Sequence, residues 1–195
     1  MNPLAETHVA ALADLANAFE RLKLKAVVIG GVAVCLVARP RYTRVVDALV
    51  MFDTEHVDAL LADLEARGFV PRSRGMGNFA RQARFVGLTH QRSGMAIDIA
   101  LGCMHFEAEV IERSTEHLDG ELKVRLPTPE DLIILKAIAN RHQDRADIQT
   151  IAEVHPAIDR SRIRFWVEQY ATLLEAPELW STIEPLLTDP VGAGF

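Results

Sequence analysis

The 195-residue sequence has few of the features that mark secreted, membrane-spanning or zinc-dependent proteins. Its two cysteines, Cys35 and Cys103, are too few for a disulfide framework or a four-ligand zinc site. No apolar run approaches the roughly 20 residues that a membrane-spanning helix needs. The first residues, MNPLAETHVA, lack the basic-then-apolar pattern of a signal peptide, and the seven histidines form no HExxH spacing. The sequence therefore predicts a cytoplasmic protein without a membrane partner and argues against a zinc enzyme.

Two long segments contain no acidic residue, although the whole chain carries a net charge of −6. Residues 21–46 and 66–97 hold many Lys and Arg side chains and no Asp or Glu. Such segregation concentrates positive potential and would attract phosphate-bearing ligands. The alternative is that these arginines pair with acids on neighbouring helices. A nucleic-acid-binding regulator is a weaker interpretation, because the net charge is negative and no recognition helix is apparent.

The spacing of apolar residues predicts helices and strands that alternate along the first two thirds of the chain. Residues 71–82, which contain two glycines and a proline, predict a flexible loop. From Thr128, a candidate N-cap, the chain is expected to be helical. These elements indicate an α+β domain over residues 1–126 with a C-terminal helical segment, 127–195, packed on it. The expected helices are 3–22, 32–38 and 53–67, the expected strands are 25–30, 43–52 and 122–126, and a hairpin is expected around residues 91–94.

A pair of glycines, Gly30 and Gly31, stands between a predicted strand and a predicted helix. Glycines at this junction allow the backbone to approach a ligand closely, and the N–H groups of the first helical turn can then bind an anion. The alternative is a tight strand-to-helix turn with no ligand.

Two aspartates interrupt apolar strands. Asp47 lies within TRVVDAL and Asp98 within MAIDIA. A carboxylate in a buried strand is costly unless it is paired, hydrogen-bonded or bound to a metal. Nearby arginines could neutralise both acids. Beside an anion-binding turn, however, two such carboxylates suggest Mg²⁺ held next to a phosphate.

Taken in order, these features resemble the nucleotidyltransferases with a DNA polymerase beta-like fold, in particular the group of AbiEii-type toxins and minimal nucleotidyltransferases. That group has a strand ending in Gly-Gly or Gly-Ser, a helix, a strand reading Thr-x-Asp-hydrophobic-Asp, and a third carboxylate on a later strand. The resemblance implies a mixed sheet flanked by helices. The matching stretches are VVIGGVAVCLVARPRYTRVVDALV, GMAIDIALG and LPTPEDLIILKAIANRHQDRADI.

By this resemblance, Gly30 and Gly31 would hold the phosphates of a nucleoside triphosphate (NTP). Arg44, on the arginine-rich surface, and Lys136 would supply positive charge to the triphosphate. The downstream basic and acidic positions correspond to Arg141, Asp144 and Asp147. One helix face is expected to hold Lys136 with both of these aspartates. A solvated face with local ion pairs is an equally good interpretation of this group.

The same resemblance makes Asp47 the second metal-binding acid and Asp98 the third, which activates the attacking hydroxyl; the metal would be Mg²⁺ or Mn²⁺. The first acid should stand at position 45, where this chain has Val45. Because side chains alternate along a strand, Val45 and Asp47 share a face. Valine cannot ligate Mg²⁺, so the expected two-metal site is incomplete. Asp53 lies farther along and is expected to cap a helix.

Two functions remain open from the sequence. The first is an enzyme that transfers a nucleotidyl group from an NTP to a hydroxyl of RNA, protein or a small molecule, with Mg²⁺. The second is a catalytically degenerate relative that binds a nucleotide or a partner, such as an antitoxin-like protein; Val45 motivates this alternative.

Overall fold

A five-stranded mixed sheet is built from the first half of the chain. The computed structural model describes residues 4–120 and 122–187. The order of strands across the sheet is β1-β2-β5-β4-β3, in which β2 and β5 are parallel and the other neighbours antiparallel. The strands are β1 (Ala26–Ile29), β2 (Val45–Met51), β3 (Phe69–Pro71), β4 (Phe85–His90) and β5 (Ala96–Gly102).

The two central strands bury one face and leave the other partly open. Val46 and Ala48 of β2, with Ile97 and Ile99 of β5, are at most 1% exposed. Val45 and Asp47 of β2, and Ala96 and Asp98 of β5, alternate with these residues and are only half-buried. This alternation follows from the two-residue period of a strand. Every aspartate in these two strands therefore lies on the face opposite the apolar core.

Five helices and a second hairpin complete this part of the described chain. Helix α2 begins directly at Gly30, two residues earlier than expected. Thr54–His56 forms a 3-10 turn before α3, and the Asp53 side chain accepts a hydrogen bond from Glu55 N (3.0 Å). The elements are α1 (Glu6–Arg21), α2 (Gly30–Val37), α3 (Val57–Glu65), α4 (Met76–Ala83), α5 (His105–Arg113), β6 (Thr115–Asp119) and β7 (Leu122–Leu126).

The expectation of a flexible loop over residues 71–82 is wrong, because α4 occupies most of that segment. Met76 and Ala80, four residues apart, bury one side of the helix. Gly75 immediately precedes it with φ +77°. Glycine adopts this left-handed conformation without strain, so Gly75 can stand directly before a helix. The glycines of this segment are therefore part of a helix start and not the sign of a flexible loop.

The remaining described elements are helical. They are α6 (Pro129–Ala139), α7 (His142–Val154), α8 (Arg160–Leu173), α9 (Leu179–Ile183) and a final 3-10 turn, Glu184–Leu187. Thr128 caps α6 as expected, since its Oγ1 accepts a hydrogen bond from Asp131 N (3.2 Å). Asn140, with φ +45°, ends α6 in a left-handed C-cap and separates it from α7.

The chain forms two compact units. Among the described residues, one unit holds 4–33 together with 41–120 and 122–127, and the other holds 34–40 together with 128–187. The fold class is mixed α+β, as predicted. Within residues 4–120 and 122–187, no helix combines the length and the apolar character needed to cross a membrane.

Candidate active site

Asp47 and Asp98 are direct neighbours across the parallel pair of β2 and β5. The register that joins them also joins Val45 to Ala96, two residues earlier on each strand. In-register residues of adjacent strands point to the same face of a sheet. Both aspartates therefore project from the half-buried face.

The Gly30–Gly31 turn lies against Asp47. Ile29, the last residue of β1, pairs with Asp47 across the sheet, and Gly30 follows with φ +65°. A Cβ at Gly30 would overlap Oδ2 of Asp47. The backbone thus approaches this carboxylate more closely than any side-chain-bearing residue would allow.

Polar groups also surround Gly31. A Cβ built there would lie 2.8 Å from Oγ1 of Thr43 and 2.9 Å from Nη2 of Arg41. Thr43 in turn donates its hydroxyl hydrogen to the carbonyl of Val45 (3.2 Å). The start of α2 is therefore lined by a guanidinium, a hydroxyl and the carboxylate of Asp47 as well as by glycine backbone. Arg41 and Thr43 were not among the residues selected from the sequence.

Arg72 forms an ion pair with Asp98. Its guanidinium lies over Gly87 of β4, where a Cβ would be 2.5 Å from Nη2 and 2.9 Å from Nε. Gly87 is itself the cross-strand neighbour of Asp98. The sequence raised the possibility that arginines neutralise the aspartates but did not identify Arg72, because the partners are 26 residues apart, with α4 and β4 between them.

Burial raises the pKa of Asp98 above its ordinary value, and the charge and hydrogen bond of Arg72 counteract this effect without cancelling it. A raised pKa makes a carboxylate a stronger base once it is ionised. Asp98 is therefore hydrogen-bonded to the guanidinium of Arg72 and is at the same time a stronger base than an ordinary aspartate.

The number of carboxylates on the sheet face that holds Asp47 and Asp98 limits the metal site that this face can form. Asp47 and Asp98 supply two carboxylates, Val45 supplies none, and the described residues contain no group of three or more His, Cys, Asp or Glu placed to bind a metal. Mg²⁺ is commonly held by one or two carboxylates together with substrate phosphates and water. These residues therefore fit one Mg²⁺ completed by a nucleotide, and they do not fit a two-metal site.

Arg44 is exposed, and its guanidinium carbon lies 5.6 Å from the centroid of the Tyr42 ring. This cation–π contact orients the side chain at the surface. Its assignment to phosphate binding stays a prediction.

Lys136, Asp144 and Asp147 form a buried cluster in the second unit. Nζ of Lys136 lies 2.9 Å from Oδ1 of Asp144 and 2.8 Å from Oδ2 of Asp147. Arg141 binds Asp144 through Nε (2.7 Å) and its backbone N–H (3.0 Å). Burial raises the pKa of Asp144, but the hydrogen bonds from Arg141 and Lys136 outweigh it and leave that pKa below its ordinary value.

Two expectations about this cluster are corrected. Its members lie on two helices, α6 and α7, because the left-handed Asn140 breaks the helix between them. The expected ion pairs are present, yet Lys136, Asp144 and Asp147 are at most 3% exposed, so the face is buried rather than solvated. A role for Lys136 or Arg141 toward a triphosphate stays a prediction.

Residues 8–175 match the model of a family described as "Nucleotidyltransferase of unknown function (DUF6036)". The match covers most of the chain, and the protein therefore belongs to this nucleotidyltransferase family. No curated protein sequence matches it at a significant level.

Solved structures show the same fold. The antibiotic-resistance factor ANT(2'')-Ia has a TM-score of 0.60 and 14% identity, with 90% of this chain and 97% of that chain covered. An antigenic nucleotidyltransferase-like protein from Paracoccidioides brasiliensis has a TM-score of 0.56 and 17% identity, with 90% and 91% covered. The lincosamide antibiotic adenylyltransferase LnuA, in its lincomycin-bound form, has a TM-score of 0.52 and 16% identity, with 77% of this chain and 98% of that chain covered. At these identities the likeness establishes the fold alone.

Proposed function

We propose that this protein transfers a nucleotidyl group from an NTP to a hydroxyl group of an acceptor. The observation that carries the proposal is the register that sets Asp47 beside Asp98, with the Gly30 backbone against Asp47. A carboxylate pair next to a glycine turn at a helix start combines a cation-binding face with an anion-binding one. Membership of the nucleotidyltransferase family supports the same reaction.

In this proposal the backbone N–H groups at Gly30 and Gly31 and the guanidinium of Arg41 hold the triphosphate. Arg44, the exposed basic residue suggested by the family resemblance, is a further candidate for contact with it. Asp47 and Asp98 would hold one Mg²⁺, which would neutralise phosphate charge when bound. Together these groups would hold the α-phosphate in position and neutralise its charge. Positioning and charge neutralisation supply most of the catalysis in phosphoryl transfer.

The proposed chemical step uses Asp98 as the base. Asp98 removes the proton of the acceptor hydroxyl, and that oxygen forms a bond to the α-phosphorus. The bond between the α-phosphorus and the bridging oxygen to the β-phosphate breaks, and pyrophosphate leaves with the electron pair. The raised pKa of Asp98 suits this role, because it makes the ionised carboxylate a better proton acceptor.

The acceptor class that we favour for testing is a small molecule with several hydroxyl groups. Two proteins of the same fold are an antibiotic-resistance factor and a lincosamide antibiotic adenylyltransferase. RNA and protein hydroxyls are the other acceptors to test, since the sequence also resembles the AbiEii-type toxin group.

A second candidate function is a nucleotide- or partner-binding module without transfer, for example one that pairs with an antitoxin-like protein. Two observations favour it: Val45 removes a carboxylate from the metal face, and Arg72 already neutralises Asp98. Under this alternative the protein binds nucleotide and releases no pyrophosphate.

The test is transfer of label from each of the four [α-³²P]NTPs to aminoglycosides, lincosamides, total RNA and protein, with Mg²⁺ or Mn²⁺. We expect labelled product from the wild-type chain and loss of at least about a hundredfold in Asp47→Asn, which removes a metal ligand, and in Asp98→Asn, which removes the general base. Asp63→Asn, at an exposed aspartate of α3, is the matched control and retains activity. Absence of product with every acceptor, together with intact NTP binding, would favour the binding module.

A further inference from the structure

Arg72 is held in the candidate site by a feature of the neighbouring strand. Gly87 has no side chain above β4, and the guanidinium of Arg72 occupies the place that a Cβ would take, with Nη2 and Nε nearest to it. From there it reaches Asp98, the cross-strand neighbour of Gly87. The side chain of Arg72 is about one-third exposed, so the guanidinium is partly shielded yet reachable by a ligand.

The charge of this face differs from that of a three-carboxylate site in two ways. Val45 removes one negative charge from the position that shares a face with Asp47, and Arg72 adds one positive charge. Asp47, Asp98 and Arg72 together carry a net charge of about −1 when all are ionised. A triphosphate therefore meets less repulsion here than at three carboxylates, and fewer divalent cations are needed to offset it.

Arginine is suited to exchange a carboxylate for a phosphate. The planar guanidinium presents five N–H donors in a fork that fits both groups with the same geometry. Its ion pair with Asp98 shows that the fork is directed across the open face of β5. Phosphate oxygens that enter beside Asp47 and Asp98 would lie within reach of the same donors.

We propose that Arg72 is a phosphate-binding residue whose single positive charge, together with the missing carboxylate at Val45, takes over part of the role of a second divalent cation, so that NTPs bind this site even without metal. This inference rests on the proposed function, because it takes the Asp47–Asp98 face as the nucleotide site. It assigns to Arg72 the contact with the triphosphate and to Gly87 the positioning of that arginine.

Two substitutions test the proposal from different sides. Arg72→Gln removes the charge. Gly87→Ala keeps the arginine but places a methyl group where the guanidinium lies, at a position whose φ is not in the left-handed region. The displaced atoms are the flexible end of a side chain, so the backbone of β4 tolerates the change. Arg74→Gln makes the same charge change at an exposed arginine two residues along and is the matched control.

The measurement is isothermal titration of the full chain with ATP, GTP, CTP and UTP, each in EDTA and in Mg²⁺. We expect the wild-type protein to bind at least one of them in EDTA. Arg72→Gln and Gly87→Ala should weaken that binding about 10- to 100-fold, which is the typical effect of losing a charge-assisted hydrogen bond. Arg72→Lys should fall between them and wild type, and Arg74→Gln should change Kd by less than about threefold. Thermal unfolding midpoints identify any variant that fails to fold.

The outcomes separate this inference from the proposed function. Wild-type binding that requires Mg²⁺, or equal binding by wild type and Arg72→Gln, overturns the role of Arg72 and leaves nucleotidyl transfer standing. If the wild-type chain binds none of the four NTPs with or without Mg²⁺, both proposals fail.

Discussion

At the scale of single residues, position 45 determines how many carboxylates lie on the face of the sheet that holds Asp47 and Asp98. Val45 precedes Asp47 by two residues on β2 and pairs with Ala96 rather than with a charged neighbour. An acid at this position would complete a set of three carboxylates on one face, whereas valine leaves two. The number and charge of oxygen ligands are the main determinants of divalent-cation affinity.

We predict that Val45→Asp raises the affinity for Mn²⁺ by roughly tenfold or more, equivalent to about 1.4 kcal/mol. The new carboxylate also repels Asp47 and Asp98, so the variant should unfold at a lower temperature in EDTA and recover in Mn²⁺. Mn²⁺ titration followed by electron paramagnetic resonance measures the affinity. Val45→Asn, similar in size and uncharged, is the control; an equal gain from it would show that charge is not the cause.

Gly30 supports a second residue-scale prediction. Gly30→Ala should destabilise the protein, because it places a Cβ both in a left-handed conformation and against Oδ2 of Asp47. Gly94→Ala has the same type of strain, at φ +70°, with no atom within 4 Å of the added Cβ.

We expect Gly94→Ala to cost about 1 kcal/mol in urea unfolding and Gly30→Ala to cost at least about 1 kcal/mol more. The difference isolates the clash with Asp47, since the conformational strain is shared. Equal losses of unfolding free energy in the two variants would mean that the Gly30 backbone is not in close contact with the carboxylate of Asp47.

At the scale of elements, the alternating strands were predictable and the contacts between them were not. The apolar residues around Asp47 and Asp98 indicated two strands with an acid on each, and β2 and β5 contain them. Arg72 was missed because no local sequence period links the residue that follows β3 to a residue on β5. Helix α4 was missed because its segment contains glycine at both the cap and the first turn, and tertiary burial of Met76 and Ala80 outweighs the low helix propensity of glycine.

The α6–α7 pair gives a prediction about buried charge. Lys136→Met should destabilise the protein by about 3–5 kcal/mol, because it leaves Asp144 and Asp147 buried without their shared cation. Lys123→Met breaks an ion pair with Glu116 in which both side chains are well exposed, and it should cost at most about 1 kcal/mol. Urea unfolding of both variants makes the comparison. A cost below about 1 kcal/mol for Lys136→Met would show that the cluster does not hold the two helices together.

At the scale of the whole molecule, the stability of the folded protein depends on pH in opposite directions through two carboxylates, those of Asp144 and Asp98. The folded-state pKa of Asp144 is lowered, so the stabilisation from Asp144 is present above its ordinary pKa of 3.8 and is lost as the pH falls through its folded-state pKa. The folded-state pKa of Asp98 is raised, so the folded state binds its proton more tightly and stability falls as the pH rises from 3.8 through that higher value. The candidate active site is therefore a source of strain at neutral pH, and the helical cluster a source of stability.

We accordingly predict that Asp98→Asn unfolds at a higher temperature than wild type at pH 7, although it lacks transfer activity. The difference should shrink as the pH falls toward 3.8, because the raised pKa of Asp98 means that the folded wild-type protein takes up this proton above that pH. Calorimetry between pH 3.5 and 8 on both proteins, with Asp63→Asn as an exposed control, measures the effect. A lower midpoint for Asp98→Asn at pH 7 would mean that its ion pair with Arg72 stabilises more than burial of the carboxylate costs.

The proposed function requires nucleotide and metal to meet at Asp47 and Asp98. A crystal structure of the protein with Mn²⁺ and an NTP that carries a non-hydrolysable α–β linkage tests it most directly. We predict one anomalous peak within ligand distance of both carboxylates, with the triphosphate beside Gly30 and a phosphate oxygen hydrogen-bonded to Arg72. A nucleotide bound elsewhere on the chain, or a Mn²⁺ ion that contacts neither aspartate, would contradict the assignment.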